Sequence, residues 1–581
     1  MSMDTNTANK AADLNWVAMD EVADFVERTE AYANGELDAD SYRGYRLTRG
    51  VYGQRQDDVY MLRVKLPGGI VTPGFARVLA ELCDESVRGY GNISTRTNLQ
   101  VHNFEMDQIP EWKRRLSAAG ITQVDACGNA VRTVTLDPMA GLAPDEVFDT
   151  TPYMEAITRF FLNNPRSRDM PRKFKISLST SAADRGLTAI NDLGLIPVRG
   201  ADGEPAFRVR CGGGLASMPL SAMELHAAWP ARDILTPCVA IIDMFQAHGN
   251  RKVRSKARIK HVLRKIGPER FEAIYKTFLA KAQLDPPPPL DLDVTFWEHE
   301  DWTLQAPDDD IARASGLAAW VAGAVQPTRL PGKVFVTLRM DQGGRINGPQ
   351  LRTLADVVER FTAPHGEPNL RFTPQQNVML RAVAVADLAA LHGELQAVGL
   401  AKPGARYAAN VTSCPGTSTC NLGITHSRNA ADEIAEVLAA RTDTDLSIKI
   451  SGCHNSCGQH HIGTIGFYGA VKRIDGRAAP HYRIMVGGGI SPQGATFGTQ
   501  LPLLPAARLR QCIERLLAAA DANKAAHETA GDWLRRADRS ALLPLVADLC
   551  VTDDGAVSES DFFDIGLDQP FEVINRAGEC A

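Results

Sequence analysis

Val22, Phe25, Val26 and Tyr32, set among acidic residues, recur at the three-to-four spacing of one helical face, so residues 16–43 read as helical. Residues 1–15 ahead of them are polar, rich in Asn, Thr and Ala, and read as disordered. At VYMLRVKLPGG (59–69) the pattern changes to the alternation of a strand and stops at a Pro-Gly-Gly turn. A helical stretch follows over FARVLAELCDESV (75–87). The same order returns far downstream. DVYMLRVKLPGGI (58–70) reappears as KVFVTLRMDQGGRI (333–346), and AFRVRCGGGLASMP (206–219) as HYRIMVGGGISPQG (481–494), both 275 residues later. LSAAGI (116–121) pairs with LQAVGL (395–400), and FKIS (174–177) with IKIS (448–451). Matches in one order at a nearly constant offset mark two halves duplicated from one ancestral unit.

Each half opens as strand–helix–strand–strand–helix and continues into a larger α/β unit holding the GGG turn. AQLDPPPPLDLD (282–293) is a semi-rigid, polyproline-type connector between them. Beyond residue 540 the chain turns acidic and irregular, a tail that either wraps the body or stays mobile. The expected divisions are an extension (1–50), a small unit (51–127), a large unit (128–280), the connector (281–327), a second small unit (328–405), a second large unit (406–540) and the tail (541–581).

Composition narrows the class. With 44% hydrophobic and 23% charged residues over 581 positions, the chain is an ordinary globular protein of about three or four domains. A net charge of −6 gives no reason to expect nucleic acid or an acidic membrane surface. The polar start lacks a signal-peptide core, and no apolar run is long enough to span a membrane. Eleven cysteines are too few for a disulfide scaffold and suit a reducing cytoplasm.

Four cysteines stand apart from the rest. TSCPGTSTC (412–420) and SGCHNSCGQHHIG (451–463) place Cys414, Cys420, Cys453 and Cys457 as C-x5-C and C-x3-C in Gly/Ser/Asn-rich turns. Four thiolates in two close pairs suit a tetrahedral zinc or a [4Fe-4S] cubane. The gaps, longer than the two-residue gap of zinc ribbons, favour the cubane. His454, His460 and His461 flank the second pair and read as surface or supporting residues. Cys83, Cys127, Cys211, Cys238, Cys512 and Cys550 read as packing residues. The first half carries cations instead: Arg63, Arg96, Arg132, Arg172, Lys173 and Lys175 lie in strand-like segments, where unpaired charge is costly. Together they point to an anion site, and the repeat sets them at the places that match the cysteines, with Pro374 opposite Arg96.

The C-x5-C…C-x3-C frame and the MPRKFK motif (170–175) resemble the sirohaem-containing sulfite and nitrite reductases, and the resemblance covers roughly residues 40–540. It implies an α+β protein with pseudo-twofold internal duplication, each half a ferredoxin-like unit followed by a larger α/β unit binding sirohaem and cluster. It also implies that Cys414, Cys420, Cys453 and Cys457 hold a [4Fe-4S] cluster, with Cys457 bridging to the sirohaem iron. Arg63, Arg132, Lys173 and Lys175 would face the substrate. Arg96, Gln100, His102 and, from NRKVRSKARIKH (250–261), Arg258 would contact the macrocycle carboxylates. Thr97 and Asn98 depart from the family motif between them. The implied reaction is six-electron reduction of sulfite to sulfide, with nitrite to ammonia as the alternative. Plant-type nitrite reductases usually carry asparagine where Lys175 stands, which favours sulfite. A non-catalytic electron-transfer or zinc-binding module, and a cobalamin-pathway oxygenase of the same superfamily, are the other readings. Neither GGG turn has dinucleotide spacing, so electrons would come from a separate ferredoxin or flavoprotein.

Overall fold

The computed structural model describes residues 14–17, 20–294, 296, 317–362, 369–551, 557–574 and 578–579. The expectation for residues 1–15 falls almost wholly outside these, and Cys580 lies outside them. The stretch with helical periodicity forms two helices, Glu21–Ala33 and Ala39–Thr48, each started by an aspartate (Asp20, Asp38) whose carboxylate accepts from first-turn amides.

The first small unit holds β1 (Val51–Gly53), β2 (Tyr60–Val64), β3 (Tyr90–Ile93) and β4 (Leu99–Phe104). Its helix Pro73–Glu85 begins with proline under the Thr72 hydroxyl, which accepts from Phe75 N. The first large unit is a sheet of β5 (Thr135–Leu136), β6 (Ile176–Leu178), β7 (Leu193–Arg199), β8 (Pro205–Cys211) and β9 (Met223–Pro230), in that order. Its first two steps are parallel and its last two antiparallel.

Residues 317–327, assigned from sequence to the connector, form the helix Leu317–Ala324 and β10 (Val325–Pro327). They belong to the second half because Trp320 is fully buried and β10 pairs with β11 (Lys333–Leu338). That half adds β12 (Arg345–Asn347), β13 (Leu370–Phe372) and β14 (Val378–Ala384). The second large sheet runs β15 (Thr412–Ser413), β16 (Ile448–Ser451), β17 (Ile465–Ile474), β18 (Arg477–Val486) and then β21 (Thr499–Pro505), with a hairpin of β19 (Gly489–Ser491) and β20 (Gly494–Thr496) beside it. Its steps repeat the parallel, parallel, antiparallel, antiparallel sequence of the first.

The halves exchange edges. β12 pairs with β3 of the first half, Arg345 opposite Asn92, and Ile70 of the first half bridges to Arg371 of the second. The double-glycine turns make this possible. Gly69 (φ 71°) and Gly344 (φ 68°) sit in left-handed conformations against the opposite half. A Cβ on Gly69 would run into the Phe372 carbonyl oxygen, and one on Gly344 would lie 2.6 Å from the Ile93 carbonyl oxygen. The two small units share one core, with Leu62 and Val101 in the same cluster as Val336 and Leu380. Each large unit has its own, around Phe174 and Ile241 or around Phe467 and Ile513.

The described parts of the tail wrap the body. The Asp561 carboxylate accepts from Arg508, and Asp564 Oδ2 accepts from His426 N at 2.6 Å. Glu579 accepts from the Arg46 guanidinium and from Gly53 N at 2.6 Å, tying the tail to β1. Among the described residues no helix is long and apolar enough to cross a membrane.

The crossing turns give a direct test. Gly69→Ala is expected to lower stability in chemical denaturation by upwards of about 2 kcal/mol, the left-handed penalty plus the backbone clash. Gly35→Ala, at φ 77° with open space around it, is expected to lose only about 1 kcal/mol.

Candidate active site at the interface of the halves

The cysteine face is built from glycine-lined loops after β15 and β16. Cys414 follows β15, its N–H donating to Ile450 O at 3.3 Å. Gly452 N points at Cys414 Sγ (3.2 Å), an amide-to-sulfur contact of the kind that tunes a cluster. Backbone packs against backbone here: a Cβ on Gly452 would lie 2.7 Å from Gly416 Cα, and one on Gly423 2.6 Å from Gly416 C. Cys453 is buried, and burial, with Cys457 and Cys414 close by, pushes its thiol up to about 12. Cys457 is exposed, while Cys414 and Cys420 are half-buried. No three Cys, His, Asp or Glu side chains among the described residues converge as tightly as a single metal ion requires.

The cationic face comes from the first half. Arg63 on β2 lies opposite Gln100 on β4, and the Gln100 amide oxygen, turned toward it, accepts from Arg63 Nε at 3.0 Å. Arg63 Nη1 also donates to Tyr52 Oη at 3.3 Å. Arg96 leaves the β3–β4 loop to donate to Asn191 Oδ1 (2.9 Å) and Thr133 O (2.6 Å). Arg132 is held by Gly128 O and Ala126 O, at 3.0 and 3.1 Å. Lys175 keeps part of its surface open, but its ammonium is pulled well below the usual lysine range by burial and by Arg96, Arg258 and Lys173. Arg96 is lowered likewise, by burial first and then Arg132, with Arg258 and Arg63 adding. Arg63, Arg96, Arg132, Lys173, Lys175 and Arg258 are thus one electrostatic cluster, with the Asp192 carboxylate among them. His102 on β4 is 4% exposed, neither ring nitrogen has a hydrogen-bond partner, and burial and Arg428 hold it neutral.

The two faces meet. Thr95, next to Arg96, donates its hydroxyl to Cys457 O at 2.9 Å, and Arg55 N donates to Thr419 O at 2.8 Å. The exposed cysteine therefore lies beside the loop that launches the cations.

The strand registers correct the comparison of the halves. Ile176 pairs with Leu193 as Ile448 pairs with Ile465. Gly186 N and Gly458 N donate to the hydroxyls of Ser179 and Ser451, at 3.4 and 3.0 Å. Asp137 N and Cys414 N donate to Leu178 O and Ile450 O. FKIS and IKIS are therefore displaced by two residues from true equivalence, and Lys175 corresponds to Ser447. Arg96 corresponds to Gln375 rather than Pro374, since Thr97 N→Ser94 O matches Gln376 N→Thr373 O. The places of Cys414, Cys420, Cys453 and Cys457 are taken by Asp137, Ala143, Ser181 and Arg185, not by the anion-site cations. There Arg185 binds Asp137 (2.9 Å) and Asp145 (2.6 and 2.8 Å), and Ser181 Oγ donates to Asp145 at 2.7 Å. Met139, Ala143, Phe335 and Met379 fill the remaining space. The second site that duplication produced is closed by an ion-pair network and an apolar plug.

His460 and His461 are buried, not surface residues, and their Nδ1 atoms bond Ser451 Oγ and Ser456 Oγ, both at 2.9 Å. Cys83, Cys127, Cys211, Cys238 and Cys512 are buried and Cys550 half-buried. Sequence reasoning passed over Asn191, Asp192 and Thr95. The first two were marked only by standing as a polar pair at the head of the apolar run LGLIPV.

A polyanionic macrocycle fits the cationic face, where guanidinium and ammonium groups crowd and His102 and Arg96 Nε keep unpartnered nitrogens. Four cysteine thiols in glycine-lined loops fit an iron–sulfur cluster. Together they describe an iron–sulfur redox enzyme acting on an anion. The family model for the nitrite and sulphite reductase 4Fe-4S domain matches residues 127–281 and 405–547, and that for the nitrite/sulfite reductase ferredoxin-like half domain matches 52–119 and 328–398. The chain belongs to the nitrite and sulphite reductase family. It is an oxidoreductase whose cofactors are sirohaem and a [4Fe-4S] cluster. It is 27% identical over 538 residues to a sulfite reductase [ferredoxin] of Mycolicibacterium paratuberculosis, covering 87% of this chain and 90% of the relative. A ferredoxin–nitrite reductase of Synechococcus elongatus is 29% identical over 443 residues, covering 74% and 80%. The structure of Mycobacterium tuberculosis NirA superposes with a TM-score of 0.74 at 25% identity, covering 93% of this chain and 98% of that one.

Breaking the network in the closed site should destabilise the fold. Arg185→Met leaves Asp137, fully buried, without its cation and is expected to lower stability by about 2–3 kcal/mol. Adding Asp137→Asn should recover part of that loss in the same unfolding measurement.

Proposed function

We propose that the enzyme reduces sulfite to sulfide (SO3(2−) + 6 e− + 7 H+ → HS− + 3 H2O), with ferredoxin as electron donor. The observation that carries this is the lysine pair: Lys173 and Lys175 join Arg63 and Arg132 in one cationic cluster, a charge density suited to a compact, doubly charged oxyanion. Sirohaem and the [4Fe-4S] cluster, when bound, would supply the redox chemistry. Cys414, Cys420, Cys453 and Cys457 would hold the cluster in this reading, and Cys457, exposed beside the Arg96 loop, would be the one shared with sirohaem. Arg96, Gln100 and His102 contact the macrocycle. Arg258, whose Nε and Nη2 bind Asp192, would also contact the macrocycle. The arginines neutralise the bound anion, and the lysine ammonium groups donate protons to oxygens that leave as water. The ferredoxin assignment draws on the relatives, a sulfite reductase [ferredoxin] and a ferredoxin–nitrite reductase. A reducing cytoplasm suits the cysteine usage.

Nitrite is the second reading, supported by the Synechococcus relative. Steady-state kinetics with reduced ferredoxin decide between them: kcat/KM is expected to be higher for sulfite, and the reverse ranking would refute the assignment. Lys175→Asn is expected to lower sulfite turnover about tenfold or more while sparing nitrite turnover, and equal losses would remove Lys175 from substrate choice. Cys457→Ser is expected to disturb the visible bands of sirohaem and the reduced-cluster EPR signal together. A change in the cluster signal alone would show that the two centres do not share this thiolate.

A further inference from the structure

Asp192 is 0% exposed and sits at the head of β7, inside the cationic cluster. Its carboxylate makes three charge-assisted bonds. Oδ1 accepts from Arg258 Nε and Oδ2 from Arg258 Nη2, both at 2.8 Å, and Oδ2 also accepts from the backbone N–H of Lys175 at 2.8 Å. Leu193 N donates to Lys175 O at 3.0 Å, so residue 175 is gripped on both sides. Asn191, one position earlier, holds Arg96. One short segment therefore sets three of the cations.

The duplicated half is an internal control. At the equivalent place, Thr464 Oγ1 accepts from Ser447 N at 3.2 Å, and Ile465 N donates to Ser447 O at 3.3 Å. Gly212 N→Asp192 O is repeated as Gly487 N→Thr464 O. The backbone thus requires only a neutral hydroxyl here. The negative charge is an addition confined to the half that carries Arg258 and Lys175, and burying it is unfavourable without those cations.

We propose that Asp192 is a positioning residue of the anion pocket, its carboxylate orienting Arg258 and fixing Lys175 while supplying counter-charge to the surrounding cations. The proposal rests on the reading of Lys175 as a proton donor to the bound anion. The groups facing Lys175 are Lys173 from its own strand segment, Arg96 from the β3–β4 loop, Arg258 from the start of the helix Ile259–Ile266, and Asp192 itself. Arg132 and Arg63 stand behind Arg96, and Lys260 and Cys211 also feel Asp192. Every cation in that set disfavours the ammonium and Asp192 favours it. Because the Lys175 pKa is already depressed, its proton donation is present at low pH and lost as pH rises through that value. Removing the Asp192 charge moves the loss to lower pH.

The test uses holoenzyme of Asp192→Asn, which retains acceptor oxygen, and Asp192→Thr, which copies the other half. Iron, acid-labile sulfide and sirohaem contents and thermal unfolding establish that each variant folds and loads. The readouts are the alkaline limb of kcat/KM and the pH dependence of anion binding to oxidised enzyme, followed by the sirohaem spectrum. Both are measured with sulfite and with nitrite, so that a wrong substrate assignment leaves the outcome readable. Both variants are expected to load normally and to shift each limb down by about one pH unit. Unshifted limbs, a loss equal at every pH, or failure of both variants to fold and load would each overturn the proposal, the last by making Asp192 a structural residue.

Discussion

Close approach of two backbones, Gly69 against the Phe372 carbonyl and Gly344 against the Ile93 carbonyl, governs how the halves meet. No side chain fits at either point, so each turn reaches the edge of the other's sheet and the small units form a single hydrophobic core. The relation is reciprocal, and it aims each large unit at the small unit of the opposite half. The cysteine loops consequently face the cations of β2, the β3–β4 loop and the lead-in to β6 across an interface rather than within one domain.

A twofold arrangement generates two such interfaces, and electrostatics separates them. In one, cations crowd beyond what Asp192 balances, which favours a polyanionic cofactor and an anionic substrate. In the other, Arg185 is matched by Asp137 and Asp145, while Met379 stands at the place of Gln100 and packs against Met139 and Phe335. Charge is satisfied internally and apolar bulk fills the remaining volume. The same backbone carries a cation-rich site and an ion-paired one because a few side chains differ.

Much of this was legible in the sequence. The double glycines and GGG turns survive in both halves because backbone approach tolerates nothing larger, so the repeat announced itself. The cysteine spacing and the MPRKFK motif led to the family. Register was not legible. FKIS and IKIS look alike because both are buried strand starts, but hydrogen bonding offsets them by two residues, and only the ladder shows that Arg185 rather than a pocket cation stands at the Cys457 position. Residues 317–324 read as connector because short apolar runs do not reveal which sheet they will cover. Asp192 carried no motif. Its importance comes from two neighbours, Arg258 and Lys175, that approach it through the fold.

Glu579 closes a loop of exceptional span. Its carboxylate bonds Gly53 N at a sequence separation of 526, and Gly53 leads into the 54–56 segment that touches the cysteine loop at Thr419 and Ser418. During vectorial synthesis on the ribosome this tie can form only after Cys414, Cys420, Cys453, Cys457 and the cations of the first half have emerged. The nascent chain therefore passes through an interval in which the cysteine turns exist and that lashing does not.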